Sequence, residues 1–305
     1  MKMQPGNGKK TIQGVGKMEL LPTVDFLGHT VTRMIVGDNP QTGHSYIVER
    51  IPGEEMTAFY TPEKILETLF VIQDAGYNTI MPLSTPTNLE ILKKFRKLGG
   101  KLHIVFQPYA REPLAENLPK MLELEPIGIY HQGTTTDYLL ETGDEKTFFA
   151  NLDLLRNSGV KFGIGTHRPS NVLRSEAENW GVDFYTFCMY NGRRGREGEP
   201  SAFITGKTKA GLVFISSDRF EAYKVVQQVK KPFIAYKIFA GGQVFNNHTP
   251  DEYPAVAEQF IRETYDNIKP GDVTCVGVFQ RDTDQARGNA EIVRRVLREK
   301  QEREK

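Results

Sequence analysis

Short apolar runs recur along the chain, and each gives way to polar residues at its end. Eight of them read as strands: "TRMIVGDNP", "YNTIMPL", "LHIVFQPY", "IGIYHQG", "FGIGTHRP", "DFYTFCMYNG", "PFIAYKIFAGG" and "DVTCVGVFQRD". Most are apolar at consecutive positions rather than alternating, the pattern of parallel strands covered on both faces. Amphipathic helices lie between them. "TPEKILETLFVIQDAG" offers Thr61 as N-cap, Pro62 at the first helical position and Gly76 just past the end. "TNLEILKKFRKLGG" opens on Thr87 with Glu90 three residues later, a capping box. "DEKTFFANLDLLRNSG" and "SNVLRSEAENWG" close on glycine, and "DQARGNAEIVRRVLREK" is the last helix. Strands alternating with helices in this number predict an α/β fold, a (β/α)8 TIM barrel, with a doubly wound open sheet as the alternative.

Two stretches depart from the repeat. "VDFLGHTV" precedes the first barrel strand and reads as an N-terminal hairpin plugging the barrel floor. Residues 192–217 form a long loop after strand six, and loops of that length are often functional. The expected organisation is a flexible arm at 1–20, one barrel domain at 21–299 and a charged tail at 300–305. The 305 residues are 39% hydrophobic and 25% charged, which is ordinary for a soluble globular protein. A net charge of +1 gives no general argument for nucleic acid or an anionic membrane, and no run reaches the roughly 18 apolar residues of a span. Cys188 and Cys275 are too few for a cysteine-held cluster or zinc ribbon and fit a reduced, cytoplasmic setting. A small-molecule substrate is the expected partner, with oligomeric state open.

Barrel chemistry gathers where strands end. The tips here carry Asp38 and Asn39, Met81, Gln107, His131, Thr166 and His167, Tyr190 and Asn191, Lys237, and Gln280 with Arg281. His131 is either a site residue or a structural histidine. His131 and His167 on neighbouring tips suit a shared divalent metal, with Asp38, His44 or Gln107 completing the set, or a pocket without metal. The loop "VGDNPQTGHSY" supplies polar groups to the site, or is a turn bonded to itself. Lys237 is a Schiff-base lysine or a lysine without such chemistry. "GRRGREGE" is a basic lid or a solvated loop.

The chain resembles the aldo-keto reductase superfamily over roughly residues 24–297. "FLGHTVTRMIVG" is similar to the family's opening hairpin and first strand, and "LLRNSGVKFGIGTHRPSNVL" to its passage from helix four to strand five. "PFIAYKIFAGG" resembles strand seven with its cofactor turn, and "RDTDQARGN" the segment gripping adenosine. The resemblance implies NAD or NADP extended across the barrel mouth. Thr166 and His167 would lie near the nicotinamide, with Tyr236 stacked on it. Gly241 and Gly242 would lie along the pyrophosphate, and Arg281, Gln285, Arg287 and Asn289 would hold the adenosine end. Asp282 replaces a small hydroxyl residue, and a carboxylate beside a 2′-phosphate repels it, so NAD is favoured.

The resemblance breaks at the reaction centre. Of the family's Asp–Tyr–Lys–His tetrad, the aspartate position falls on Met81, the tyrosine near Pro86 and the lysine on Gln107. Only the histidine remains, as His131. Carbonyl reduction by the usual route should then be impaired. A replacement acid would come from the "VGDNPQTGHSY" loop. The expected catalytic group is His131 with Gln107 and Asp38, acting on a small carbonyl or sugar-like metabolite by a non-standard mechanism. The alternatives are a non-redox lyase, isomerase or hydrolase using His131 and His167 with a divalent metal, and a silent ligand-binding barrel.

Overall fold

The chain enters through a hairpin. β1 (Thr23–Phe26) and β2 (His29–Thr32) pair antiparallel across Leu27 and Gly28. Both turn residues are left-handed, at φ 60° and 84°, which suits the twist of the flanking strands. The structure, a computed structural model, describes residues 19–206 and 211–305. The expected N-terminal arm lies, up to residue 18, outside the described residues.

Eight parallel strands follow: β3 (Met34–Gly37), β4 (Thr79–Met81), β5 (His103–Phe106), β6 (Gly128–His131), β7 (Phe162–Thr166), β8 (Phe184–Cys188), β9 (Phe233–Tyr236) and β10 (Val273–Gly277). They close in the order β10-β3-β4-β5-β6-β7-β8-β9, so the sheet is a barrel and not an open sheet. Each lies inside one of the eight apolar runs. Two buried clusters alternate along the strands. Met34, Ile80, Ile104, Ile129 and Tyr185 pack outward under the helices. Ile35, Met81, Val105, Tyr130 and Phe184 pack inward. Phe26 and Val31 of the hairpin join the inner cluster, with Phe26 edge-on to Phe184 at 5.7 Å, so the hairpin does plug the barrel. Burying one such phenylalanine is worth about 1.5–3 kcal/mol.

Thr61 caps its helix as expected, accepting from Lys64 N at 3.3 Å. The next helix, Pro86–Lys97, corrects the capping box. Its N-cap is Thr85, which accepts from Asn88 N at 3.1 Å. Pro86 is pre-set for the first helical position and draws the start two residues back from Thr87. The last helix, Gln285–Arg303, continues into the charged C-terminal stretch, where Arg303 pairs with Asp266 at 3.1 Å. Cys188 and Cys275 are both buried and free. No helix among the described residues is long and apolar enough to cross a membrane.

Candidate active site

The helix Gly133–Glu141 starts directly after β6, with Gln132 as cap, its Oε1 accepting from Thr135 N at 2.7 Å. It presses on β7 where two glycines meet. A Cβ on Gly165 would lie 2.9 Å from the Cα of Gly133, so no larger residue fits. That approach carries Asp137 beneath the tip of β7, where it is fully buried. Its Oδ1 accepts from Thr166 Oγ1 (2.5 Å) and Asn171 Nδ2 (2.9 Å). Its Oδ2 accepts from the backbone N of His167 (3.0 Å) and from His167 Nδ1 (2.8 Å). A carboxylate with four donors needs no further partner. It also fixes the histidine, because Nδ1 must carry the proton and Nε2 is left as acceptor.

His167 Nε2 faces Lys237 Nζ at 2.9 Å and Tyr236 Oη at 3.1 Å. Lys237 stands in an aromatic cage, with its Nζ 4.6, 5.2 and 5.7 Å from the ring centres of Tyr46, Tyr236 and Phe214. Burial, and next the charge of Lys237, hold His167 down to about 4 against the pull of Asp137, so it is neutral at pH 7. Burial lowers Lys237, but Tyr46, Cys188 and Asp137 more than offset it, and it stays an ammonium above its ordinary value. Lys237 is itself left-handed, at φ 59°, a conformation that costs a non-glycine residue energy and recurs at functional sites.

These groups open on a cavity of about 320 Å³, lined also by His44, Tyr46, Thr134, Arg193 and Phe203. Described residues of the connection after β8, from Gly192 to Phe203 and from Gly211 to Val213, supply part of its lining. Arg193 is buried against Glu141, the residue one helical turn beyond Asp137, at 2.5 Å, and Gly198 N donates to the same carboxylate at 2.8 Å. Arg194 reaches Asp218 at 2.5 Å. Arg193 of "GRRGREGE" is thus held against the barrel, while Arg194, Gly195, Glu197 and Gly198 are exposed. Phe203 stacks on His44 at 4.0 Å, which ties this connection to the loop after β3.

The expected catalytic residues are not brought together. His131 needs the clearest correction. Its ring is buried under the helix layer, edge-on to Phe148 at 5.3 Å, with Nδ1 at 2.7 Å from Thr136 Oγ1 and Nε2 at 3.2 Å from Asn151 Nδ2. Tyr130, one residue earlier, is the side chain of β6 that turns inward. His131→Ala is expected to lower stability by about 2–3 kcal/mol, leaving Thr136 and Asn151 short of a partner, with ligand binding in the cavity unchanged. Denaturant melts paired with a binding titration would check this, and a large binding loss would return His131 to the site. Gln107 accepts from Tyr130 Oη at 2.5 Å, away from the cavity. Asp38 braces two loops, its Oδ2 accepting from Leu83 N (2.7 Å) and Asn88 Nδ2 (3.0 Å), and burial raises it to about 6. His131 and His167 do not converge, and among the described residues no three His, Cys, Asp or Glu side chains gather as a metal would need.

The expected cofactor residues split into two groups. His167 lines the cavity, with Thr166 bonded to Asp137 and Tyr236 to His167 behind it. Gly241 and Gly242 are left-handed as a turn requires, but their open faces are covered by Tyr46 and Ile47. Arg281 is paired with Asp282 at 2.9 Å and with Glu55, and Arg287 with Asp284 at 3.2 Å. Gln285 Oε1 accepts from Phe279 N at 2.9 Å, with Asn289 one turn along the same helix. None of these four lines the cavity.

No protein-family model matches the chain, and no curated protein sequence does. Solved structures do. Aldo-keto reductase AKR11C1 from Bacillus halodurans, in its holo form, matches 92% of this chain and 96% of its own, at 11% identity and a TM-score of 0.54. A Gox0644 variant in complex with NADPH covers 90% and 88% at 11% identity and 0.54. Dihydropteroate synthase from Xanthomonas albilineans, with 4-aminobenzoic acid, covers 92% and 98% at 12% identity and 0.54. The likeness to aldo-keto reductases stands at the level of the fold. A synthase shares that barrel equally well, so the choice of chemistry rests on the site.

Asp137, Glu141, Tyr46 and Arg193 were not singled out from the sequence. "GTTTDYLLETG" does carry a signal, an amphipathic turn with two acids four apart. It follows β6 without any break, which hides it as a separate helix.

Proposed function

We propose that the cavity is the active site of a barrel enzyme acting on a small oxygenated metabolite, carbonyl-bearing or sugar-like, by a route other than the reductase tetrad. The observation that carries this is the 2.9 Å contact between Lys237 Nζ and His167 Nε2, with the histidine fixed by Asp137. Lys237 turns its remaining N–H groups to a substrate oxygen and stabilises negative charge growing there. His167 Nε2 exchanges the substrate proton once Lys237 turns to the ligand, and Asp137 stabilises the imidazolium that forms. Tyr46, from the loop expected to hold a replacement acid, stands beside Lys237. The cavity has the size of a small-ligand site.

A second reading, dependent on NAD or NADP, is favoured by the NADPH complex of a protein with the same barrel. The residues here do not fit that group as they stand. Tyr46 and Ile47 fill the face a pyrophosphate would use, and carboxylates already hold Arg281 and Arg287.

The pH profile tests the first reading. Catalysis needs neutral His167 and charged Lys237. Activity is expected to stay level from pH 7 down to about 5 and to fall only toward pH 4, with the alkaline limb above the ordinary lysine range. An acid limb at the usual histidine value near 6.5 would count against His167 as the base.

A further inference from the structure

The turn after β9 bends hard. Lys237, Ala240, Gly241 and Gly242 are all left-handed, at φ 59°, 50°, 62° and 98°. What lies against the two glycines is the chain itself. A Cβ on Gly241 would stand 2.6 Å from the Cβ of Tyr46, and one on Gly242 would stand 3.3 Å from Cδ1 of Ile47. The first distance is too short for any real contact, so the packing of Tyr46 by itself accounts for a glycine there. Gln243 then clasps the arrangement. Its Nε2 donates to the carbonyls of Tyr46 (3.0 Å) and Leu212 (2.5 Å), and its Oε1 accepts from Phe214 N at 3.1 Å. One amide thus joins the loops after β3, β8 and β9. The result is the cage, with the rings of Tyr46 and Phe214 set beside the Lys237 ammonium. The surface on which the resemblance puts a pyrophosphate is here packed against Tyr46 and Ile47.

We infer that this turn seats Tyr46 and Ile47 in place of a pyrophosphate, and that the site catalyses a redox-neutral proton transfer between adjacent carbons of a small hydroxy-carbonyl compound. The inference rests on the roles given above to Lys237 and His167. His167 Nε2 takes the proton from the carbon next to the carbonyl. The C–H pair becomes the C=C bond of an enediol, and the carbonyl π pair moves to its oxygen, which takes a proton from Lys237. The neighbouring hydroxyl then gives its proton to Lys237 as C=O forms on its carbon. The double-bond pair takes the proton back from His167 at the former carbonyl carbon. Lysine, imidazole and the electron count all return to their starting state, so no oxidant, reductant or co-reactant is consumed. The neutral imidazole and the adjacent ammonium are the two groups this sequence needs.

The test uses the full chain and two- to four-carbon hydroxy-aldehydes and hydroxy-ketones in D2O, followed by NMR. The expected result is saturable probe binding and deuterium entry at the carbon next to the carbonyl, without nucleotide and unchanged when NADH or NADPH is added. Exchange should drop by at least about 10²-fold in Lys237→Met. A parallel titration should find no saturable binding of either nucleotide up to millimolar concentration. Tight nucleotide binding with turnover that depends on it would overturn the inference. So would probe binding that Lys237→Met abolishes without any exchange in the wild type. In the second case the assignment of the site to Lys237 survives, and in the first it survives where Lys237→Met also lowers the nucleotide-dependent turnover. Neither binding nor exchange for any probe would sink the inference and the assignment together.

Discussion

Asp137→Asn should slow the reaction by roughly 10²- to 10⁴-fold while leaving the barrel folded, because it removes the one group that fixes the proton on His167. In the native site the carboxylate only accepts, so His167 Nδ1 donates and Nε2 is free to accept from Lys237. The asparagine can still take Thr166 and Asn171 on its oxygen. Its NH2 group then faces the backbone N–H and Nδ1 of His167, two donors in the native arrangement. The imidazole relieves one clash by moving its proton to Nε2. That N–H now points at the Lys237 ammonium, donor against donor, and the base is gone. Substrate affinity should change far less than the rate, since Asp137 is buried behind His167 and does not line the cavity. Nitrogen NMR of the imidazole would show the tautomer change, and steady-state kinetics the split between kcat and KM. A variant that keeps Nδ1–H and loses only a few-fold in rate would remove Asp137 from the proton path.

The architecture was legible because its signal is local and repeated. A buried parallel strand needs a continuous apolar run, and each of the eight runs became one barrel strand. The site was less legible because it depends on direction. Along β6 a shift of one residue exchanges the two faces. As a strand-tip residue His131 is expected at the mouth, whereas the ring that turns inward belongs to Tyr130. His167 and Lys237 were within reach as strand tips. Their partner Asp137 sits on a helix that the strand-and-helix rhythm does not announce, 30 residues before His167 in sequence. The glycines after β9 teach a related lesson. The resemblance put a pyrophosphate along Gly241 and Gly242, but the sequence does not say what will lie on that turn, and here the occupant is Tyr46 from another loop.

The second large effect expected is acid destabilisation, driven by histidines held neutral in the fold. His131 and His167 are both lowered to about 4, each first by burial. The unfolded chain takes up protons near the ordinary value of 6.5, and the folded chain does not until about pH 4. The stability these residues hold is thus complete above pH 6.5 and is lost as pH falls toward 4. Each shift corresponds to about 3 kcal/mol over that window. His44, lowered to about 4 by burial and by the charges of Lys237 and Arg111, adds in the same direction. Asp38 opposes them. Its folded value of about 6 lies above the usual carboxylate value, so proton uptake there favours the fold as pH drops through 6. The histidines outnumber it, and the net slope between pH 6 and 4.5 should be steeply downward. His131→Gln separates the terms. The variant should be less stable at pH 7, because its hydrogen bonds are imperfect. It should also lose stability more slowly with acid, by about 1.4 kcal/mol per pH unit in that range, since one unfolded-state proton site is gone. Urea melts at half-unit pH steps would measure both slopes. Parallel slopes would mean that His131 already binds its proton near pH 6.5 in the fold, against the burial that lowers it.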